Sequence, residues 1–294
     1  MCGEALIDLI FDGKKSMAIV GGGPANTAKA LSKLGIATQF IDGLSNDEYG
    51  QMILRQLKMD GVFVDFVQYS NKPTCIANVN LDEKGKAIYD FQIEGTATFD
   101  FSKSWLPDPQ LNCPCLLHIG TLVTVIEPTS SILFDWVRDF KGIAPIVFDP
   151  NVRPAVLSDR YSYLDKVERW VSISDAVKVS DEDLNWLYPS ISVEEISGKW
   201  LSMGPKLVVV TLGDKGLIGF RKNEKVYVSA EKVRVADTVG AGDTVGAVLV
   251  EAILKNSLDN LSGSNLELFL ARAAKAASIT VSRFGATPPT SDEI

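Results

Sequence analysis

The fold and the chemistry are both indicated by one stretch, Asp237-Thr238-Val239-Gly240-Ala241-Gly242-Asp243. Upstream, the valines between positions 226 and 235 alternate with polar residues as in a strand, and downstream the apolar residues of 245–253 follow helical spacing. We therefore predict a turn between a strand and a helix. Glycine lets the backbone approach a ligand closely, and the first amides of a helix lack internal partners. Such a turn is suited to binding phosphate.

Asp243 stands at the start of the predicted helix. A carboxylate at this place can accept the proton of a substrate hydroxyl as its oxygen attacks phosphorus, which makes Asp243 a candidate general base. The alternative is an Asp that caps the helix after a glycine turn, which is the commoner role of an isolated G-A-G-D. The residues around Asp243 favour the first interpretation.

Two signatures, taken together, resemble the ribokinase-like carbohydrate kinases, or PfkB family. D-T-x-G-A-G-D is similar to the C-terminal signature of that family, and Gly21-Gly22-Gly23-Pro24-Ala25-Asn26-Thr27-Ala28 is similar to its first signature. Their order along the chain is also that of the family, which makes the pair more specific than either motif. The resemblance implies a three-layer α/β/α fold with a mostly parallel central sheet and a small β-sheet lid.

Composition excludes several other classes of function. The chain has 294 residues, a net charge of -8 and no basic cluster, which argues against a nucleic-acid or membrane partner. A single histidine, His118, is too few for Ser-His-Asp or Cys-His hydrolases and multi-His zinc sites. Cys113-Pro114-Cys115 lacks a second pair that would complete a metal site. The acidic residue near the start does not fit a signal peptide, and we expect a cytoplasmic protein.

The sequence lacks the motifs of two other nucleotide-binding folds. No P-loop, G-x-x-x-x-G-K-[ST], occurs in the sequence. In the dinucleotide pattern G-x-G-x-x-G, the third glycine is replaced by Asn26 when counted from Gly21, and by Val245 when counted from Gly240.

Hydrophobic periodicity divides the chain into two parts. From residue 116 onward, apolar runs at 116–122, 146–148, 176–179 and 207–212 alternate with amphipathic stretches, which is typical of a parallel sheet covered by helices. Residues 71–101 instead favour a β-hairpin around the turn Asp82-Glu83-Lys84-Gly85. We predict an α/β core of residues 1–8, 21–70 and 102–294, and a β lid of 9–20 and 71–101.

The sugar-binding residues are predicted from strand ends and the first signature. Asp8 ends the predicted first strand, and its carboxylate is either solvated or accepts sugar hydroxyls. The resemblance implies the second role, with Asn26 and the amides of Gly22 and Gly23 as further contacts. Arg153 belongs to Asp149-Pro150-Asn151-Val152-Arg153, which resembles the D-P-N-x-R element of the family. A guanidinium fork matches phosphate oxygens, although a surface Arg after a turn is the alternative.

The remaining site residues are implied by resemblance. Lys178, Ser180 and Asp183 match the K-x-N-x-x-E element that organises Mg²⁺-bound water and the triphosphate, with Ser for Asn and Asp for Glu. The nucleotide is expected to contact Thr211, Gly213, Gly216 and a helix face at Ala274, besides Gly240 and Gly242. Gly240, Ala241 and Gly242 would form the anion hole, and carbonyls of Asp237, Val239 and Gly285 would hold K⁺.

The resemblance implies transfer of the γ-phosphoryl of MgATP to the primary hydroxyl of a small sugar. The run from Tyr89 to Ala97, which includes Phe91 as a sugar contact, is similar to the lid strand of bacterial fructokinases. Related 2-keto-3-deoxygluconate kinases typically have an Arg where Ile93 stands, and fructose is therefore the expected substrate. Ribose, 2-keto-3-deoxygluconate, nucleosides, or a non-catalytic sugar-binding role remain alternatives. A homodimer through the β lid is also implied.

Overall fold

The computed structural model describes residues 1–11, 16–81, 87–109, 111–112 and 114–294. The strands are β1 (Leu6–Phe11), β2 (Ser16–Gly21), β3 (Gly43–Ser45), β4 (Gln68–Ser70), β5 (Ile76–Leu81), β6 (Ala87–Gln92), β7 (Leu117–Gly120), β8 (Ile146–Asp149), β9 (Ala176–Ser180), β10 (Leu207–Thr211), β11 (Leu217–Arg221) and β12 (Glu224–Val228). The α-helices are α1 (Gly23–Lys33), α2 (Glu48–Met59), α3 (Thr129–Arg138), α4 (Arg160–Ile173), α5 (Asp181–Leu187), α6 (Val193–Met203), α7 (Ala241–Asn256) and α8 (Ser264–Val281).

The central sheet has six strands in the order β12-β11-β10-β9-β8-β7. Strands β7 to β10 run parallel, and β11 and β12 complete the sheet as an antiparallel edge. The four apolar runs of the sequence are these parallel strands. Beyond β7, Cys2 forms isolated parallel bridges with Ile119 and Ile41, which brings the residues after Cys2 to the carboxyl end of β7.

Helices cover both faces of this sheet. On β10, Val209 points into the apolar cluster that contains residues of α1, α2, α7 and α8, whereas Val208 and Val210 point into the cluster with α3 to α6. This alternation follows from the two-residue period of a strand and explains why each parallel strand is apolar throughout. The three-layer α/β/α architecture and the mostly parallel central sheet are as predicted.

A second sheet has the order β2-β1-β5-β6. Its outer pairs are antiparallel and β1 pairs parallel with β5. The predicted hairpin strands β5 and β6 are present, but the predicted turn at residues 82–85 lies outside the described residues. Asp8 does not end the first strand as predicted. It lies within β1, between Ile19 and Ala77, because β1 continues to Phe11.

The segment before α7 also differs from the prediction. Strand β12 contains Val226 and ends at Val228, whereas Val233 and Val235 are exposed residues of an irregular segment. Alternation alone indicated a longer strand, but no strand partner exists for these residues within the described chain. The glycine stretch therefore joins an irregular segment to the helix.

Among the described residues, neither His118 nor Cys115 belongs to a metal-binding cluster. His118 is buried in β7, and burial lowers its pKa to about 3. Cys113 lies outside the described residues, and Cys115 is an exposed free thiol. Among the described residues, no helix is long and apolar enough to cross a membrane.

Candidate active site

A cavity of about 300 Å³ opens at the carboxyl ends of β7, β8 and β9. This edge is where parallel α/β sheets bind ligands. The N-termini of α1 and α7 and the inner face of the second sheet complete its wall. It brings together most of the predicted site residues, namely Asp8, Gly22, Gly23, Asn26, Phe91, Arg153, Lys178, Val239, Gly240, Gly242 and Asp243.

Asp243 lies in the first turn of α7 and is 8% exposed. Its Oδ2 accepts a hydrogen bond of 2.9 Å from Nδ2 of Asn26, which lies in the first turn of α1. The two signatures of the sequence therefore meet in one contact. Burial raises the pKa of Asp243 to about 6, although Lys178 and Asn26 oppose the shift. A carboxylate with this pKa is largely ionised at pH 7 and can accept a proton.

The N-terminus of α7 depends on Gly240. This residue has φ 81, in the left-handed region, and a Cβ placed on it would lie 2.7 Å from Cβ of Ala286. Any other residue would be strained and crowded. No side chain caps the helix, and Ala241 N donates to the Thr238 carbonyl at 3.4 Å. The amides of Gly242 and Asp243 have no hydrogen-bond partner among the described residues and remain available to an anion, as the glycine turn predicted.

A buried ion pair lies beside this helix start. Nζ of Lys178, on β9, is 2.6 Å from Oδ2 of Asp149 at the end of β8. A Cβ placed on Gly242 would be 3.1 Å from the same Nζ, which puts the ammonium next to the first turn of α7. Burial opposes the charge of Lys178, but Asp149 and Asp243 raise its pKa above the ordinary value. Oδ1 of Asp149 is buried and has no hydrogen-bond partner among the described residues.

Asp8 and Arg153 lie on the sugar side of the cavity. The Asp8 carboxylate covers Gly21, whose hypothetical Cβ would be 2.1 Å from Oδ2. Burial raises the pKa of Asp8 to about 6, with Arg153 opposing the shift. Nη1 of Arg153 donates to the carbonyls of Asn151 and Val152. The guanidinium therefore braces its own loop while it lines the cavity.

Six residues of the cavity were not predicted as site residues. They are Glu4, Leu6, Thr121, Leu122, Asn151 and Thr238. Thr121 directly follows β7 and Asn151 lies two residues after the end of β8, and a polar residue after an apolar run is the signal that could have identified them. Glu4 gave no local signal. It reaches the site because Cys2 pairs in parallel with Ile119, two residues before Thr121.

Other predicted residues lie outside the cavity lining. Thr211, Gly213 and Gly216 form the turn between β10 and β11, where Leu212 N donates to the Gly216 carbonyl. Ala241 is the first residue of α7, one position before the lining residue Gly242. Ala274 is 6% exposed and packs against the apolar core, and its contact with the nucleotide stays a prediction.

Ser180 and Asp183 form a capping box at the start of α5. Oγ of Ser180 accepts from Asp183 N at 3.0 Å, and the Asp183 carboxylate accepts from Ser180 N and from Val152 N. Burial raises the pKa of Asp183 to about 6. Each carboxylate oxygen keeps a lone pair for a further donor, and Asp183 therefore fits a contact to metal-bound water. Among the described residues, no group of three or more His, Cys, Asp or Glu side chains forms a metal cage.

The two turns predicted to hold K⁺ are tied together by Asp237. Its Oδ1 accepts from Val239 N at 3.0 Å and its Oδ2 accepts from Gly285 N at 2.9 Å. The carboxylate is thus used to fix the loop before α7, and backbone carbonyls are the groups left to bind a cation.

Comparison with known proteins identifies relatives along nearly the whole chain. Residues 3–293 match the family described as pfkB family carbohydrate kinase. A fructokinase from Rhizobium leguminosarum bv. trifolii is 37% identical over 266 residues, covering 88% of this chain and 80% of that protein. The resemblance seen in the two signatures is thereby confirmed.

Two solved structures share the fold. The fructokinase of Xylella fastidiosa with bound ATP has a TM-score of 0.92 at 23% identity, covering 99% of this chain and 95% of that one, which shows the ribokinase-like fold. The fructokinase of Vibrio cholerae O395 in a form with fructose, ADP and calcium ion has a TM-score of 0.85 at 26% identity, covering 97% and 92%. With its two signatures joined in one cavity and its family match from residue 3 to 293, the chain belongs to the pfkB family of carbohydrate kinases.

Proposed function

We propose that the protein transfers the γ-phosphoryl group of MgATP to the primary hydroxyl of fructose. The observation that carries this proposal is the position of Asp243, which is buried, bonded to Asn26 and adjacent to both the N-terminus of α7 and Lys178. Two comparisons support the sugar. The relative at 37% identity is named fructokinase, and the Vibrio cholerae structure contains fructose and ADP.

Asp243 acts as the general base. Its carboxylate removes the proton of the primary hydroxyl as that oxygen forms a bond to the γ-phosphorus, and the bond from phosphorus to the β,γ-bridging oxygen breaks to release ADP. The 2.9 Å hydrogen bond from Asn26 holds Oδ2 and leaves Oδ1 for the substrate. Asn26 therefore positions the base.

Positive charge for the transferring group comes from α7 and Lys178. The amides of Gly242 and Asp243 in the first helical turn are free to donate to the anion, and the Lys178 ammonium lies next to Gly242. The Asp149 carboxylate fixes that ammonium at 2.6 Å. Arg153 provides a second cation from the other side of the cavity, while its bonds to two carbonyls hold it in place.

The proposed contacts with the nucleotide are based on the family match. Ser180, Thr211, Gly213 and Gly216 lie at the ends of β9 and β10 and would border ATP. Bound Mg²⁺ supplies charge neutralisation on the phosphate oxygens. Asp183 would hold its water, since the capping box leaves lone pairs on the carboxylate. Carbonyls near Asp237, Val239 and Gly285 would bind K⁺ and stiffen the loop before α7.

Sugar recognition uses the opposite wall. Asp8 accepts hydroxyl hydrogens, the amides near Gly22 and Gly23 donate, and Phe91 on β6 covers the apolar face of the ring. We propose that the second sheet acts as the lid over the sugar. Its exposed Phe11 and Met17 are suited to a homodimer contact. We also propose a cytoplasmic location, where ATP is available.

The test is an ADP-release assay of the purified protein with MgATP and a panel of fructose, ribose, 2-keto-3-deoxygluconate and a nucleoside. The highest kcat/KM is expected for fructose. Sugar binding without ADP release would support a non-catalytic sugar-binding protein, and a higher kcat/KM for another panel member would replace fructose as the substrate.

A further inference from the structure

Two residues on the wall of the cavity have unusual backbone conformations. Thr121 has φ 62 and Asn151 has φ 37, both in the left-handed region. Asn adopts this region more readily than most residues, but a β-branched residue such as Thr is a genuine outlier there. Each residue follows the end of a parallel strand, β7 or β8. Residues held in such conformations cluster at ligand sites, where they fix side-chain direction.

The two side chains contact each other inside the cavity. Nδ2 of Asn151 donates to Oγ1 of Thr121 at 3.3 Å. This bond uses one hydrogen of the amide and one acceptor position of the hydroxyl. The Asn151 carbonyl oxygen, its second amide hydrogen and the hydroxyl hydrogen of Thr121 are left to interact with a ligand.

Gly23 places these groups next to the general base. A Cβ on Gly23 would lie 2.7 Å from Asn151 Nδ2, 3.0 Å from Thr121 Oγ1 and 3.4 Å from Asp243 Oδ1. The three polar atoms therefore surround the position that a side chain on Gly23 would occupy. A substrate whose reacting hydroxyl meets Asp243 Oδ1 can therefore place a neighbouring oxygen within reach of Thr121 and Asn151.

Glu4 holds this wall in position. Its Oε2 accepts a hydrogen bond of 3.2 Å from the amide of Leu122, the residue after Thr121. Glu4 is 1% exposed and also lines the cavity. Burial raises its pKa to about 8, and the carboxyl is therefore mostly neutral at pH 7. A neutral carboxyl can accept from Leu122 without placing a second negative charge beside Asp243.

We infer that Thr121 and Asn151 are specificity-determining residues that bind a non-reacting hydroxyl of the sugar close to the one that is phosphorylated, with Glu4 as their positioning residue. This inference rests on the proposed function. It assigns the recognition of a second sugar hydroxyl to residues that neither signature contains.

The experiment compares Thr121→Val with the matched control Thr121→Ser. Both variants keep the backbone position, but only the serine keeps the hydroxyl. Each is assayed for ADP release with D-fructose and with three analogues that lack one hydroxyl, namely 2,5-anhydro-D-mannitol, 3-deoxy-D-fructose and 4-deoxy-D-fructose. Thr121→Val should lose at least about tenfold in kcat/KM on fructose, and Thr121→Ser should stay within about threefold of wild type.

The decisive readout is the pattern across the sugars. On the one analogue that lacks the bound hydroxyl, Thr121→Val should lose less than about threefold, because wild type has already lost that contact. An equal loss on all four sugars, or no loss on fructose, would overturn the inference and leave Thr121 with a structural role. If Thr121→Val does not fold by circular dichroism, Asn151→Gly carries the same test, since Gly tolerates positive φ.

Failure of the proposed function gives a different result. Wild type would then release no ADP with any of the four sugars. The variants would in that case be compared by the rise in melting temperature on adding each sugar. The same analogue-specific pattern would still support the two residues as hydroxyl contacts, whereas the absence of any rise in wild type would contradict both proposals.

Discussion

Replacing Asp243 with Asn should separate catalysis from folding. The change is nearly isosteric, and an Asn oxygen can still accept the hydrogen bond from Asn26. It removes the group that accepts the proton. We expect turnover with fructose to fall by at least about 10²-fold, the usual contribution of a general base. Because Asp8, Gly22 and Gly23 remain in place, KM for fructose should change much less.

The same substitution should stabilise the fold in a pH-dependent way. Burial raises the pKa of Asp243 from 3.8 to about 6, and ionisation is therefore less favourable in the folded protein than in the unfolded chain. Wild type loses stability from this group as pH rises through that interval. At pH 7 the loss amounts to at most about 3 kcal/mol, from about 1.4 kcal/mol for each unit of pKa. Asp243→Asn has no ionisable group at this position, so its free energy of unfolding does not fall in this way as the pH rises above about 4.

The measurements are steady-state ADP release between pH 5 and 9 and urea unfolding at pH 4 and pH 7. Wild-type kcat/KM should fall below about pH 6, where the base becomes protonated. The stability gain of Asp243→Asn over wild type should be near zero at pH 4 and largest at pH 7. Asp165→Asn, at an exposed position of α4, is the control for removing one negative charge.

Two results would refute this reasoning. Near wild-type turnover in Asp243→Asn would remove Asp243 from the role of base and return it to helix capping. Lower stability of the variant at pH 7 than at pH 4, relative to wild type, would show that the ionised carboxylate is favoured by its surroundings.

Three further outcomes are expected. Lys178→Met should move the acid limb of the pH profile of kcat/KM to higher pH, because the Lys178 charge lowers the pKa of Asp243. An acid limb at the same pH would contradict the interaction between Lys178 and Asp243. Lys206→Met, which removes an exposed ion pair with Asp259, is the control. Fructose should exceed 2-keto-3-deoxygluconate in kcat/KM, since Ile93 offers no cation; the reverse order would mean that Arg153 or another cation binds the carboxylate. Turnover should be faster in K⁺ than in Na⁺ or tetramethylammonium at equal ionic strength, and equal rates in all three would exclude a functional K⁺.

The parts of the site that were predictable are those with local causes. Gly240 and Gly22 both have positive φ at a helix start, a backbone requirement that glycine reveals in the sequence itself. The apolar runs likewise identified the parallel strands, because a strand buried on both faces has no polar alternation. The order of the motifs along the chain then indicated the fold.

The parts that were missed depend on pairing between distant segments. Glu4 reaches the cavity through the bridge between Cys2 and Ile119, and nothing within residues 1–8 indicates that bridge. The contact between Lys178 and Asp149 arises because β9 lies next to β8, which the order of motifs alone does not state. Val233 and Val235 alternate with polar residues but have no strand partner among the described residues, which shows that alternation is not sufficient for a strand.

The hydrogen bond between Asn26 and Asp243 joins residues 217 positions apart. During synthesis the base and the residue that positions it cannot meet until α7 has left the ribosome. A nascent chain that has formed only α1 and the early strands therefore has no site in which to cleave ATP. Catalytic activity should be among the last properties to return on refolding, after secondary structure, and its recovery would report the docking of α7 against α1.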